Sequence, residues 1–383
     1  MITEQASILP DKADHRARAA NATAQGELLP SAGARAADNA SLPSAGARAA
    51  AACSVSVVIP CYNEERFIGK ALESLIEQYD AERYEIIVVD GRSEDKTREV
   101  VAEFAAAHPQ VAVRVFDNPQ RSIPAALNIG IRHARGEIIA RMDAHSAPAA
   151  NYVRRCVELL RDGGAAVAGM SLSIRPGDAT RTARAVALAV AHPFGIGDAK
   201  YRTVQGASAR VVDTVPFGAF RKRTWEEVGG FNEELLTNED YEFYYRIRQR
   251  GGLVVMDESA ACFYFARATM TDLARQYARY GGWKARMIKM HPRSIKLRQM
   301  VAPAFVAALL VLGALGAWWT PALRLLLGAV VAPYAALSLY FAYRLARRAG
   351  ELSLLPLLSL AFFVIHTTWG ASFLFGLIRS PKH

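Results

Sequence analysis

Hydrophobic and polar positions divide the chain into three unlike stretches. Residues 1–52 show almost no periodic apolar pattern. Ala, Ser, Gly and Pro dominate, and the nonapeptide LPSAGARAA occurs twice, at 29–37 and 42–50. Two copies without a large apolar face do not stack into a solenoid, so this composition predicts a disordered tail. No apolar run follows Met1, which argues against a secretory signal peptide. From Ser54 the pattern changes. Residues 54–60, 85–90, 111–116 and 137–142 are short apolar runs bounded by turn residues and predict buried strands. Residues 67–79, 96–107 and 122–134 carry apolar side chains at helical spacing, the last with Pro124 in its first turn. Strand and helix alternating in this way predict an α/β domain, a mostly parallel sheet with helices on both faces. Ligands bind such sheets beyond the carboxyl ends of the strands, where Asp90 and Asp143 fall.

The third stretch is continuously apolar. Residues 301–319 hold no charge, 321–343 only Arg324, and 352–378 none besides His366. Each is long enough to cross about 30 Å of hydrocarbon, and three in succession predict transmembrane helices rather than buried core helices. Pro356 and Gly370 leave a re-entrant hairpin as an alternative for the third. Arg286, Lys289, Arg293, Lys296 and Arg298 precede the first run, and Arg344, Arg347 and Arg348 follow the second. The excess of such residues on cytoplasmic loops places both clusters, and the α/β domain, in the cytoplasm. Three spans would put Arg379 and Lys382 on the other side, against the same rule. The expected division is a tail (1–52), an α/β domain (53–298) and a membrane region (299–383).

Charge narrows the partners. The 46 Lys and Arg exceed the 36 Asp and Glu, for a net charge of +10. That balance suits nucleic acid, an anionic membrane surface or phosphate-bearing substrates. The cations gather beside the membrane runs and no nucleic-acid motif occurs, which argues against nucleic acid. Cys53, Cys61, Cys156 and Cys262 form no C-x-x-C pair and have no histidine at zinc-finger spacing. They read as reduced thiols of a cytoplasmic domain.

Several residues are placed for chemistry. Asp90 ends a strand before Gly91 and a polar turn, an arrangement that hydrogen-bonds a base or ribose. Ser93 or Asp95 is the expected cap of the next helix. Asp143 and His145 follow the fourth strand and offer one cation a hard oxygen and an imidazole nitrogen. A divalent metal there, Mn²⁺ or Mg²⁺, would neutralise a leaving diphosphate; the alternative is a capping Asp beside a surface His. Glu239 and Asp240 open an aromatic-rich helix after Asn238, where carboxylates either suit the helix dipole or deprotonate an acceptor hydroxyl. Gly218, Gly229 and Gly230 allow tight turns and close approach of a sugar, with Phe217, Phe220 and Trp225 as stacking or core residues. Gln276, Arg279, Tyr280 and Trp283 precede the membrane region. Arg279 suits a diphosphate, and the aromatic residues suit the headgroup layer.

Together SVVIPCYNEE, IIVVDGRSEDKT, NPQRSIPAALNIGIRHARGEIIARMDAH and GGFNEELLTNEDYEFYYRIRQRGG resemble the family 2 inverting glycosyltransferases of GT-A fold. The similarity runs from about Ser54 to Trp283 and is greatest to the succinoglycan-type exopolysaccharide glucosyltransferases. It implies a multi-pass protein of the bacterial inner membrane that moves a hexose, glucose by analogy, from a UDP-sugar to a polyprenyl-diphosphate-linked saccharide. Its setting would be exopolysaccharide assembly, with other polysaccharide-assembly proteins as partners. Pro60, Cys61, Tyr62, Asn63 and Glu64 would line the nucleotide pocket, Asp90 would meet the uracil or ribose, and Arg121 and Asn128 would lie over the donor. Asp143 would contact nucleotide and metal, with His145 where most members have the second Asp of D-x-D. Asp240 would be the base, with Glu239 beside it. Gln276, Arg279 and Tyr280 stand where polymerising relatives carry Q-x-x-R-W, with Gly218 and Trp283 also on the acceptor side. His145 removes a negative charge and favours Mn²⁺ or weakens the metal dependence. Tyr280 in place of Trp favours single transfer. The rival readings are a processive synthase and an inactive membrane scaffold; retention of Asp90, Asp143 and Asp240 argues against the scaffold.

Overall fold

The computed structural model describes residues 54–379 except 77, 79–83, 147, 198, 204–207 and 319–320. The expected tail, Cys53, Tyr79 and Trp319 lie outside the described residues; the helix expected over 67–79 is helical over Ile68–Glu73 and gives way to a turn at 74–76. The described strands are β1 (Val55–Cys61), β2 (Tyr84–Asp90), β3 (Ala112–Asp117), β4 (Ile138–Arg141), β5 (Val167–Arg175), β6 (Ala209–Val211), β7 (Ala219–Arg221) and β8 (Val254–Phe265). The helices of the α/β part are α1 (Ile68–Glu73), α2 (Thr97–Ala107), α3 (Ile123–His133), α4 (Tyr152–Arg161), α5 (Arg181–Val190), α6 (Pro193–Ile196), α7 (Lys200–Thr203), α8 (Lys222–Val228) and α9 (Glu239–Gln249). Then come α10 (Met270–Met290), α11 (Leu297–Trp318), α12 (Pro321–Arg348) and α13 (Leu355–Ile378).

The strands form one sheet in the order β3-β2-β1-β4-β7-β5-β8-β6. β1 runs parallel to β2 and β4, β2 to β3, and β5 to β8; β7 is antiparallel between β4 and β5. Two reversals restore direction, so β1 to β5 and β8 bring their carboxyl ends to the same edge. The chain moves outward from β1 to β3 and returns to β4 on the other side of β1. Asp143 therefore leaves the sheet at a switch of strand order, where such sheets hold ligands.

The central strands are apolar throughout because both faces are covered. Alternation sends Val57, Ile59, Ile86 and Val88 to one face, against Leu72 of α1, Phe104 of α2 and Val157 of α4. It sends Val58, Ile87 and Val89 to the other, against Leu127 and Ile131 of α3 and Phe243 and Ile247 of α9. Cys61, Cys156 and Cys262 are buried free thiols.

Three helices are long and apolar enough to cross a membrane: Leu297–Leu315, Pro321–Arg348 and Leu352–Ile378. Leu310, Leu325 and Phe375 are exposed on them, as surfaces that meet lipid are. The hairpin alternative for the third run is corrected: α13 is one continuous helix. Pro356 sits in its first turn, where the missing N–H breaks no helical bond. α13 packs against α5 and α10. A Cβ on Gly281 of α10 would stand 2.3 Å from both Ser372 Oγ and Trp369 O, so the two backbones approach through that glycine.

Candidate active site

β4 carries a charge in an otherwise apolar strand. Arg141 is 5% exposed, and its Nη1 lies 3.0 Å from Glu239 Oε1 and its Nη2 3.4 Å from Asp143 Oδ1. Asn238, at φ 67°, enters the left-handed region that Asn tolerates and turns the chain into α9. Glu239 and Asp240 thereby occupy the positive end of that helix beside Arg141. Burial works against the charged guanidinium, but Asp143, Glu239 and Asp240 outweigh it and hold Arg141 above its ordinary value. Burial pushes Glu239 up to about 7, against the pull of Arg141. Burial also raises Asp240, again opposed by Arg141. Asp240 stays half-buried and accepts the Tyr241 N–H at 2.6 Å on Oδ1. Two adjacent carboxylates with raised proton affinity beside the end of β4 suit general-base chemistry. The pair splits by geometry: Glu239 is buried on Arg141, while Asp240 retains exposure.

The ends of β1 and β2 are tied into one double turn. Asn63 N donates to Ser93 Oγ (2.9 Å), Glu94 N to Asn63 Oδ1 (2.8 Å), and Glu64 N to Thr97 Oγ1 (2.8 Å). Pro60 is buried in β1 opposite Val89. Asp90 is fully buried and organises this turn from within: Oδ2 accepts from Ser93 N (3.1 Å) and Arg98 Nε (2.6 Å), and Oδ1 from Ser93 Oγ (2.5 Å). Burial raises its carboxyl, but the bonds from Ser93 and Arg98 win and hold it below the ordinary value. Of the two expected caps, Asp95 accepts Thr97 N at 3.0 Å, whereas Ser93 serves Asp90. Exposed Arg121 lies 5.0 Å over the Tyr62 ring and pairs with Glu94 at 3.1 Å.

His145 is exposed, and its Nδ1 lies 3.1 Å from Glu64 Oε1; that bond raises its pKa, with partial desolvation the main opposing effect. Its Nε2 has no partner among the described residues. Among the described residues no three His, Cys, Asp or Glu side chains converge as a metal cage. Asp143 and His145, an oxygen and a nitrogen donor two residues apart, therefore make no closed structural site.

The other expected site residues are engaged as follows. Asn128 faces inward: Nδ2 donates to Phe231 O (2.9 Å) and Glu233 Oε1 (2.8 Å), and Oδ1 accepts from Phe231 N (2.9 Å) and Trp225 Nε1 (3.1 Å). It fastens the turn at Gly229 and Gly230, which have φ of 84° and 76°, and is not free to lie over a ligand. Gly218 is buried, and a Cβ there would meet Tyr244 Oη at 2.4 Å; its small size serves packing inside the domain. Arg279 is exposed with its guanidinium 5.9 Å from the Tyr280 ring. Gln276 is buried, and its Nε2 donates to Tyr264 Oη (2.9 Å) and Tyr280 Oη (3.0 Å). Trp283 lies under Arg286 at 5.4 Å. Arg141 had no assigned role from the sequence, although a charge inside an apolar strand is itself a signal, because such groups are buried only when paired.

Three comparisons bear on this arrangement. The sequence profile of Glycosyl transferase family 2 matches residues 56–229. The succinoglycan biosynthesis protein ExoA of Rhizobium meliloti is 31% identical over 263 residues, 67% of this chain and 78% of that protein. The dolichyl N-acetyl-alpha-D-glucosaminyl phosphate 3-beta-D-2,3-diacetamido-2,3-dideoxy-beta-D-glucuronosyltransferase of Methanococcus voltae is 26% identical over 240 residues, 61% of this chain and 74% of that protein. Among solved structures, the mannosyltransferase PcManGT of Pyrobaculum calidifontis, in complex with GDP-Man and Mn²⁺, superposes with a TM-score of 0.55 at 24% identity, covering 81% of this chain and 86% of that one. The fold is the GT-A arrangement with an apolar helical region after it.

Proposed function

The chain belongs to glycosyl transferase family 2, and from that premise we propose that it is a membrane-bound inverting enzyme moving a hexose, glucose first among them, from a UDP-sugar to a polyprenyl-diphosphate-linked saccharide in exopolysaccharide assembly. The observation that carries this reading is Arg141 among Asp143, Glu239 and Asp240, at the edge where the strands end. Asp240 takes the proton from an acceptor hydroxyl as that oxygen attacks the anomeric carbon and inverts it, and UDP leaves. Arg141 keeps Glu239 and Asp143 in place during that exchange. The turn of Asn63, Glu64 and Asp90, with Tyr62 and Arg121 at its mouth, borders the donor. Asp143 and His145 would hold a divalent ion, which when bound neutralises charge on the leaving diphosphate.

The acceptor class follows from place and kinship. The Methanococcus relative is named for a dolichyl-linked sugar phosphate, and the site precedes three helices able to cross a membrane. Lys and Arg beside those helices support a cytoplasmic domain on a multi-pass inner-membrane protein, and they attract lipid diphosphates. Tyr280 at the acceptor-side motif supports single transfer.

The test is label transfer from UDP-glucose into lipid by membranes containing the protein, with and without Mn²⁺ or Mg²⁺. Asp240→Asn is expected to lower transfer about 10²- to 10⁴-fold with UDP binding retained. Near-normal turnover in that variant would remove Asp240 as the base. Silence with UDP-glucose, UDP-galactose and UDP-N-acetylglucosamine would count against a UDP-hexose transferase. Long products would favour the processive reading.

A further inference from the structure

We infer that Arg202 is the centre of a phosphoryl-binding cage whose ligand is the phosphate of the lipid-linked acceptor; this rests on the acceptor reading above. Arg202 lies in the short helix α7. Its guanidinium carbon is 5.1 Å from the ring centre of Tyr264 and 5.5 Å from that of Tyr201, and Tyr277 and Tyr280 are close enough to act on it electrostatically. No carboxylate pairs with it among the described residues, and its Nε is buried without an acceptor. Three other arginines of the domain are matched: Arg141 by Asp143 and Glu239, Arg155 by Asp257, and Arg246 by Glu242. Ring faces offset part of the cost of desolvating a guanidinium, and an anion offsets the rest.

The tyrosine hydroxyls serve the same ligand. Gln276 Nε2 donates to both Tyr264 Oη and Tyr280 Oη. Since each oxygen accepts from the amide, each hydroxyl proton is left to be given elsewhere. A guanidinium fork beside two phenol donors is a donor set that holds phosphoryl oxygens. Position selects a lipid's phosphate over a nucleotide's. Tyr264 and Tyr277 belong to the apolar cluster through which α10 meets Phe362, Ile365 and Trp369 of α13. A ligand with an anionic head and an apolar tail matches both sides of that boundary.

The test uses the full-length protein in nanodiscs of phosphatidylcholine with excess phosphatidylglycerol, titrated with polyprenyl phosphate, with unphosphorylated polyprenol and with UDP. Wild type is expected to bind the phosphate lipid at least about tenfold more tightly than the alcohol. Arg202→Gln should lose that preference with UDP affinity unchanged, and Tyr264→Phe should lose part of it. Equal binding of phosphate and alcohol by wild type overturns the inference, as does a preference that survives in Arg202→Gln. Loss of UDP binding with the lipid preference intact assigns the cage to the donor's diphosphate and also overturns it. If Arg202→Gln loses both, the Tyr264→Phe/Tyr280→Phe double variant decides, because it keeps cation and rings: a preference retained there sinks the cage. None of these readings needs turnover. A wild type that binds the phosphate lipid but glycosylates no lipid would sink the proposed function and leave the cage standing.

Discussion

Arg141 Nη1 lies 3.0 Å from Glu239 Oε1, joining the end of β4 to the first turn of α9. The two side chains are 6% and 7% exposed; Arg141 is the group that opposes the burial of Glu239, and Glu239 shares the burial of Arg141 with Asp143 and Asp240. Removing one partner of such a pair costs about 3–5 kcal/mol, because the remaining charge is stranded. Arg141→Gln should destabilise by about that amount, and Arg141→Gln/Glu239→Gln should recover much of it. Denaturant unfolding of the four proteins of the cycle checks this; two simply additive losses would mean the groups do not act as a pair.

The same pairing should separate the adjacent carboxylates in turnover. Glu239 is buried on Arg141, whereas Asp240 is only half-buried. Glu239→Gln should keep at least about tenfold more turnover than Asp240→Asn, whose loss is that of a placed base. Equal losses in kcat would mean the two act as one unit.

Acid should act on turnover and stability in opposite ways. Burial raises the Asp240 pKa above its ordinary 3.8 and Arg141 restrains the rise. A base works deprotonated, so the rate should climb with pH through a range above that of an ordinary Asp, and Arg141→Gln should move the climb to higher pH. Glu239 goes from 4.5 unfolded to about 7 folded. Its folded state binds the proton more tightly, so the contribution is fully present below pH 4.5 and is lost as pH rises toward about 7. Glu239→Gln should flatten the stability–pH curve in that window; an unchanged curve would contradict the shift.

In the proposed reading Asp143 and His145 would be the protein's two ligands to a divalent ion. Chelation should remove transfer and Mn²⁺ should restore it better than Mg²⁺, because imidazole suits the softer ion. His145→Ala should raise the Mn²⁺ needed for half-maximal rate about tenfold or more. Full transfer in the presence of EDTA would exclude a required ion.

Gly281 lets α10 and α13 touch. Gly281→Val would place Cβ 2.3 Å from Ser372 Oγ and Trp369 O. An overpacked contact costs about 1–3 kcal/mol, so the variant should melt earlier in detergent. A melting curve like wild type would show that the helices part at no cost.

Much of this protein was legible along the chain. β1 to β4 and α1 to α3 announce themselves because a strand's period of two and a helix's period near 3.6 are local properties of the side chains. The apolar runs at α11 to α13 are equally legible, since crossing a bilayer demands length and composition only. The short strands β6 and β7, each of three residues, are too brief for any period to show, and β7 is what reverses the sheet between β4 and β5. Asn128 illustrates the other limit: a polar residue in a helix reads as a ligand group until the turn at Gly229 and Gly230 is seen to take all its bonds. By itself the sequence determined the first four strands, the first three helices and the apolar runs of α11 to α13, and that Asp143, His145 and Asp240 stand at element ends. Only the tertiary structure decided that Arg141 binds Glu239, that Asp240 keeps its exposure, and that four tyrosines and, among the described residues, no carboxylate surround Arg202. Those outcomes depend on distances between residues far apart in the chain, and a side chain's charge and hydration follow from what packs beside it, which local pattern does not encode.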